Sequence, residues 1–351
     1  MRFLYPLLLC IPLALVLDWG LEASATWVFL TSALAIVPLS ALMGKATEEL
    51  AAHTGPTVGG LLNASLGNAA ELIITILALR AGLVDLVKAS ITGSIIGNLL
   101  LVLGAALLAG GARFPVQRFN RQATGVSSAM MALSVAALVL PAIFVQLHPA
   151  EAMARRVALS EAVAAVLIVV YLASLYFTLR THVDYVAGAE SEAAREDAPH
   201  WSVRRSLLLL LLATAGVALM SELLVGATEA AAHGLGLSQL FVGIIIVPLI
   251  GNAAEHASAI WMAAKNKVDL ALGIAVGSST QVALFVAPVL VFIALLMGRP
   301  MDFVFTPLEV LAVAAATGVV TIIAQDGESN WLEGVQLLAL YMILGATFYF
   351  Y

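Results

Sequence analysis

The sequence predicts an all-α polytopic membrane protein of about eleven transmembrane helices, arranged as two inverted five-helix repeats plus one extra N-terminal helix. Three observations carry that prediction. Of 351 residues, 62% are hydrophobic and 11% charged, whereas about a quarter of a soluble domain is charged. Apolar runs long enough to span a bilayer recur along the whole chain. Finally, "LLNASLGNAAELIITILAL" (61–79) returns as "IIVPLIGNAAEHASAIWMA" (245–263), so an apolar run is twice interrupted by Gly-Asn-Ala-Ala-Glu.

The runs fall at 4–19, 26–50, 56–82, 84–110, 122–146, 157–180, 204–233, 238–264, 268–297, 307–325 and 331–350. About 20 residues rising 1.5 Å each cross a hydrocarbon core roughly 30 Å thick. Arg2, the apolar stretch Phe3 to Leu17 and the following Ala23-Ser24-Ala25 resemble a cleavable signal peptide. The first run is nevertheless expected to stay as a helix outside the repeats, in a segment 1–25. Spans 2–6 then form a first repeat, 26–182, and spans 7–11 a second, 204–351. Between them lies a polar linker, 183–203, containing "AESEAARED". Its Glu190, Glu192, Glu196 and Asp197 either sense cytosolic cation or simply solvate a loop. The single cysteine, Cys10, excludes an internal disulfide and any cysteine-based metal cluster.

Lys and Arg are distributed unevenly between the alternate ends of these spans. With the N-terminus inside, the inner ends collect 11 (Arg2, Lys45, Arg113, Arg118, Arg121, Arg180, Arg195, Arg204, Arg205, Lys265, Lys267) and the outer ends 5 (Arg80, Lys88, Arg155, Arg156, Arg299). The positive-inside rule therefore puts the N-terminus and the linker in the cytoplasm and the C-terminus outside.

Shifted by 184 positions, 58–97 aligns with 242–281 without a gap, and 13 of 40 positions are identical. These include Val58/Val242, Gly59/Gly243, the Gly67–Glu71/Gly251–Glu255 block, Val84-Asp85-Leu86/Val268-Asp269-Leu270 and Gly93-Ser94/Gly277-Ser278. Because each repeat holds an odd number of spans, the second enters the membrane in the opposite sense. A pseudo-two-fold axis in the membrane plane is a recurring architecture of secondary transporters. Glu71 lies about 15 residues into its span and Glu255 about 17 into its own, both near the midplane at 1.5 Å per residue. The symmetry brings them face to face.

Asn68 with Glu71, and Asn252 with Glu255, are spaced i, i+3 and so share one face of a helix. Gly67 and Gly251 precede them, and Pro248 stands three residues before the second glycine. Proline removes an N–H and glycine loosens the helix, which frees main-chain carbonyls. An ionised carboxylate at the bilayer centre costs at least about 2.5–3.5 kcal/mol and is normally partnered or turned to a wet cavity. No Lys or Arg stands near the centre of any predicted span, so the neutralising charge comes from outside the polypeptide. Carboxylates, amide oxygens, hydroxyls and carbonyls form an all-oxygen set, suited to a hard cation such as calcium with 6–8 ligands. His256 beside Glu255 either ligates or serves as a structural donor. A lone buried Glu could be a protonated acid bonded to a neighbouring helix, but that is a poor account of two Glu repeated with their Asn and Gly.

The second shared block, "TGSIIGN" (92–98) and "VGSSTQ" (276–281), puts small and amide side chains inside spans 4 and 9. Close helix packing would account for Gly93 and Gly277 as well as a site would. Asn98 and Gln281 are harder to account for, since a bare amide in hydrocarbon is costly. "TEELAAHTG" (47–55) and "TEAAAHGLG" (228–236) are loosely alike but sit at span ends, where Glu and His are usually solvated. Glu222 lies deeper.

"GNAAELIITILALRAGLVDLVKASITGSIIGNLLLVLG" (67–104) and "GNAAEHASAIWMAAKNKVDLALGIAVGSSTQVALFVAPVLV" (251–291) resemble the two repeat motifs of the calcium/proton exchangers, the CAX family of the cation/calcium antiporter superfamily. "MDFVFTPLE" (301–309) and "DGESNWLEGVQLLALY" (326–341) resemble that family's last two spans. By matching position, the resemblance implies cation-binding acids at Glu71 and Glu255, flanking amides at Asn68 and Asn252, and a second motif at Ser94, Asn98, Ser278, Ser279 and Gln281. The sodium/calcium exchangers of the superfamily carry a proline at this point that is absent here, which argues for protons as counter-ion. What the resemblance implies is outward calcium transport coupled to proton entry. The expected proton-carrying groups are Glu71 and Glu255, with His256 and Glu222 as further acceptors.

The expected partners are calcium, protons and the lipid bilayer, with a homo-oligomer compatible and no nucleic acid. No cofactor is expected, calcium being the transported substrate, and the membrane is expected to be a prokaryotic cell membrane, an organelle remaining open. The rivals are a sodium- or potassium-coupled exchanger, a gated cation channel, and an intramembrane hydrolase, for which no catalytic set other than the cation acids is visible.

Overall fold

The computed structural model describes residues 2–21, 23–182 and 200–351. The predicted linker acids Glu190, Glu192, Glu196 and Asp197 lie outside the described residues. Among those described, eight helices are long and apolar enough to cross a membrane: α2 (Ala25–Thr54), α3 (Val58–Ala81), α4 (Val84–Gly111), α5 (Arg121–Leu147), α6 (Arg155–Thr181), α7 (Val203–Leu235), α9 (Val268–Leu296) and α11 (Trp331–Phe350). Between α7 and α9 stands a broken span, α8, made of Gln239–Gly251 and Ala253–Ala264 bent by 63°. Two shorter apolar helices, α1 (Leu4–Gly20) and α10 (Pro307–Ile323), occupy the first and tenth predicted positions.

The ends of these helices are written in the local sequence. Asn120 caps α5 by accepting from the N–H groups of Gln122 (3.0 Å) and Ala123 (3.2 Å), and Ser202 caps α7 by accepting from Arg205 N. Gly82 (φ 86°) closes α3 and Gly236 (φ 67°) closes α7, both in the left-handed region that glycine enters without a Cβ penalty.

The chain divides into two compact units that cut across the sequence halves: the described residues of 1–90, 196–255 and 348–351 form one, those of 91–195 and 256–347 the other. In the first, α2 packs along α7, its counterpart in the other repeat. Thr214 Oγ1 donates to Met43 Sδ across that contact (3.4 Å), and Gly216 lets Leu39 approach so closely that a Cβ there would lie 2.9 Å from Leu39 Cδ2. Buried Glu49, at the end of α2, accepts from the main-chain N–H of His200 (2.8 Å) and Trp201 (2.9 Å), fixing the entry to α7.

The second unit again joins counterparts, the 97–111 part of α4 with α9 and α5 with α10. Its α4 and α11 touch through glycines: a Cβ on Gly334 would sit 2.7 Å from the Gly104 carbonyl oxygen. A two-residue antiparallel ladder pairs Gln117 with Ser329 and Arg118 with Glu328. The loop after α9 docks on α6, where Ser160 Oγ accepts from Phe303 N at 2.9 Å and Phe303 is fully buried. Val166, Val169, Leu172 and Tyr176 leave α6 exposed as an apolar face, the pattern of a helix solvated by lipid.

Candidate functional site

Both Gly-Asn-Ala-Ala-Glu blocks interrupt their helices. The first half of α3 ends at Leu66, Asn68 adopts φ −93° and ψ 18°, and a new helix runs Ala69–Ala81 with Glu71 in its first turn. In α8, Asn252 adopts φ −104° and ψ 9°, and Glu255 opens the helix Ala253–Ala264. The helices are interrupted beside these glycines, as the sequence predicted, and the structure adds that the asparagines themselves occupy the breaks while the glutamates lie in the first turns of the half-helices that follow. The reason is local, since Pro248 donates no N–H and a glycine precedes each asparagine. A carboxylate in a first turn lies beside unpaired N–H groups and the positive end of the helix dipole, a setting that suits negative charge.

Five of the predicted residues share the first unit: Asn68, Glu71, Glu222, Asn252 and Glu255. Glu71 is 5% exposed, Asn68 and Asn252 3% each, and Glu255 is half-buried. Asn252 Nδ2 donates to Glu71 Oε1 at 2.6 Å, joining residues 181 apart and tying one repeat's amide to the other repeat's acid. With its donor turned to Glu71, only Oδ1 of this amide has the chemistry to ligate a cation. Gly251 leaves room for the Glu71 side chain, since a Cβ there would meet Glu71 Cγ at 3.4 Å. Thr75 Oγ1 donates to the Glu71 carbonyl oxygen at 2.7 Å, one turn further along the half-helix. The paired glycines Gly59 and Gly243 are close-packing points: a Cβ would lie 2.6 Å from Ala51 O in one case and 2.5 Å from Ala89 Cβ in the other.

The second unit holds Ser94, Asn98, His256, Ser278, Ser279 and Gln281. Ser94, Asn98, Ser278 and Ser279 are buried, and Gln281 is half-buried. Each copy of the second motif runs into a widened π-helical turn, Gly97–Val102 in α4 and Val282–Val286 in α9. Such turns are rare and frequently mark functional sites. Ser279 Oγ donates to Ala275 O (2.9 Å) and Ile95 O (3.4 Å), the latter linking α9 to α4. Asn98 Nδ2 and His256 Nε2 are buried with no hydrogen-bond partner among the described residues. A Cβ on Gly277 would meet nothing within 4 Å, so close packing does not account for that glycine.

Glu222 is exposed on α7, and depth along a helix did not place it in an enclosed setting like that of Glu71. A crevice of about 580 Å³ borders Glu229, His233 and Gln239 and is lined by none of the predicted site residues. Two enclosed acids escaped the sequence reading: Glu49, expected to be solvated at a span end, is buried at the entry to α7, and Glu309 was not singled out. Glu309 is 3% exposed at the start of α10, and the Thr306-Pro-Leu-Glu309 spacing of a capping box was its available signal.

A polytopic helical protein with acids set in paired helix breaks has the form of a secondary transporter. The family model "Sodium/calcium exchanger protein" matches residues 24–180 and 205–350, and the chain belongs to that family. It is 46% identical over 362 residues to the Ca(2+)/H(+) antiporter of Aphanothece halophytica, covering 99% of this chain and 96% of that one. The Ca(2+)/H(+) antiporter of Synechocystis sp. is 47% identical over 363 residues, with 99% and 97% covered. Native YfkE superposes with a TM-score of 0.87 at 38% identity over 100% of both chains. Within its family the chain therefore lies in the calcium/proton exchanger (CAX) branch, as the two repeat motifs implied.

Proposed function

We propose that this protein is a secondary active transporter that exchanges cytosolic calcium for protons across a prokaryotic cell membrane by alternating access. The observation that carries the reading is the pair of repeated acids in helix breaks, with Glu71 buried and held by an amide from the opposite repeat. The names of the relatives support calcium and protons as the substrates. Glu71 and Glu255 bind both substrates in turn. Two bare carboxylates are too costly to pass through an occluded state at the membrane centre, and either calcium or two protons removes that charge. The transporter therefore reorients only when loaded, and exchange is obligatory without a separate proton wire.

Calcium takes 6–8 oxygen ligands at 2.3–2.6 Å; Glu71, Glu255, Asn68 and Asn252 carry such oxygens, as do carbonyls freed at the helix breaks, and the hydroxyls and amides of the second motif are of the same oxygen-ligand class. A strict two-for-one exchange moves no net charge. A third proton, taken by an acid such as Glu222, would add about 2.3 kcal/mol per 100 mV of membrane potential.

The test is calcium uptake by purified protein in liposomes under an imposed proton gradient. The wild type accumulates calcium, and its calcium affinity falls as pH drops because protons compete for the same oxygens. Glu71→Gln and Glu255→Gln each insert but do not exchange. Uptake driven by a sodium gradient with pH equal on both sides would replace this reading with sodium coupling, and retained exchange in either variant would remove that residue from the mechanism.

A further inference from the structure

Glu309 is the most enclosed carboxylate among the described residues, and it does more than cap a helix. Its Oε2 accepts from Thr306 N at 2.9 Å and from Thr306 Oγ1 at 2.8 Å, completing a capping box at the start of α10. The box needs only that oxygen. The other, Oε1, accepts from Thr92 Oγ1 at 3.2 Å, across 217 residues of sequence. Thr92 is 1% exposed on α4 and opens the second-motif segment that carries Ser94 and Asn98. Three donors converge on one acceptor-only group, which is how a buried carboxylate is made tolerable.

The geometry matters for rotation of α4 about its own axis. At 3.6 residues per turn, Ser94 lies about 200° around the helix from Thr92, on the opposite side. Fastening Thr92 to α10 therefore turns the Ser94 side of α4 away from α10. A second fastening comes from α9, where Ser279 Oγ donates to Ile95 O at 3.4 Å. The second-motif segment is thus held from two neighbouring helices, one hold resting on a carboxylate.

We infer that Glu309 is a positioning residue for calcium transport: through Thr92 it sets the rotation of α4, and thereby the direction in which Ser94 and Asn98 are presented. This rests on the functional reading above. Outer-shell partners of metal ligands typically contribute about 10–100-fold in affinity, so loss of the Thr92 contact is expected to raise the calcium KM about tenfold on that basis.

The experiment compares Thr92→Val, Thr92→Ser, Glu309→Gln and the Thr92→Val/Glu309→Gln double variant in proton-driven calcium uptake, together with the thermal midpoint of each purified protein. Thr92→Val removes only the hydroxyl and leaves the capping box intact, so it remains informative if Glu309→Gln folds poorly. The expected result is a raised KM in Thr92→Val with a lowered thermal midpoint, because a buried acceptor loses its donor, wild-type KM and midpoint in Thr92→Ser, and a double variant no worse than Glu309→Gln alone. A wild-type KM in Thr92→Val, or independent effects that multiply in the double variant, would reduce Glu309 to a helix cap and overturn the inference. A wild type without proton-driven uptake would instead overturn the functional reading, and the inference with it.

Discussion

Replacing Asn252 by leucine tests the contact between the two repeats at the acid itself. Leucine nearly matches asparagine in shape but cannot donate, so the 2.6 Å bond to Glu71 Oε1 is lost while the helix break keeps its glycine and proline. A hydrogen bond to a charged group contributes about 1.5–3 kcal/mol. In the unloaded protein, a carboxylate released from the amide relaxes into other rotamers, and calcium binding then has to restore the single geometry. At 1.4 kcal/mol per decade, that corresponds to about 10- to 100-fold weaker calcium binding. Because Asn252 and Glu71 are both buried, water does not readily take over the donor's role. Calcium binding to the detergent-purified variant, measured by calorimetry beside the wild type, reads the loss of the donor together with that of the Oδ1 ligand, so the figure of about 10- to 100-fold is its lower bound, and uptake in liposomes gives the matching rise in KM. Wild-type calcium affinity in Asn252→Leu would show that the amide does not orient Glu71 for the cation.

Two further outcomes separate packing from function. Gly243→Ala forces a Cβ to 2.5 Å from Ala89 Cβ, and such overpacking is expected to lower stability by about 1–3 kcal/mol, seen as a lowered thermal midpoint. Gly277→Ala meets nothing within 4 Å and is expected to keep the wild-type midpoint. Topology is checked by single cysteines at 195 and 351 in a Cys10→Ser background: the former should label from the cytoplasm and the latter from outside, and labelling of both from one side would refute the eleven-span arrangement.

Much of the fold is legible in the sequence because a bilayer leaves few choices. Apolar runs about 20 residues long must become helices, since hydrocarbon offers the backbone no other hydrogen-bond partner. The eleven runs accordingly correspond to α1–α11, the first and tenth being shorter than a full span, the third interrupted at Asn68 and the eighth sharply bent at Asn252. The inverted repeat could be read from the 184-residue offset, and Glu71 and Glu255 were conspicuous because carboxylates are costly in such runs.

The remaining features depend on which face a helix presents and on what reaches it from distant parts of the chain. The glycines and Pro248 announced an interruption beside each asparagine, but only the structure shows that Asn68 and Asn252 themselves stand between the half-helices. Glu222 looked internal from its depth along α7, yet its face of the helix is exposed. Thr306-Pro-Leu-Glu309 reads locally as an ordinary helix start, and only the packing of α10 against α4 gives Glu309 its second partner, Thr92. The sequence by itself determined that this is a membrane-embedded duplicated chain with an acid in each half, because hydrophobicity and repetition are properties of the chain's order. Tertiary structure decided which oxygen and which amide meet, because a 2.6 Å contact between residues 181 apart exists only once the two repeats have packed against each other.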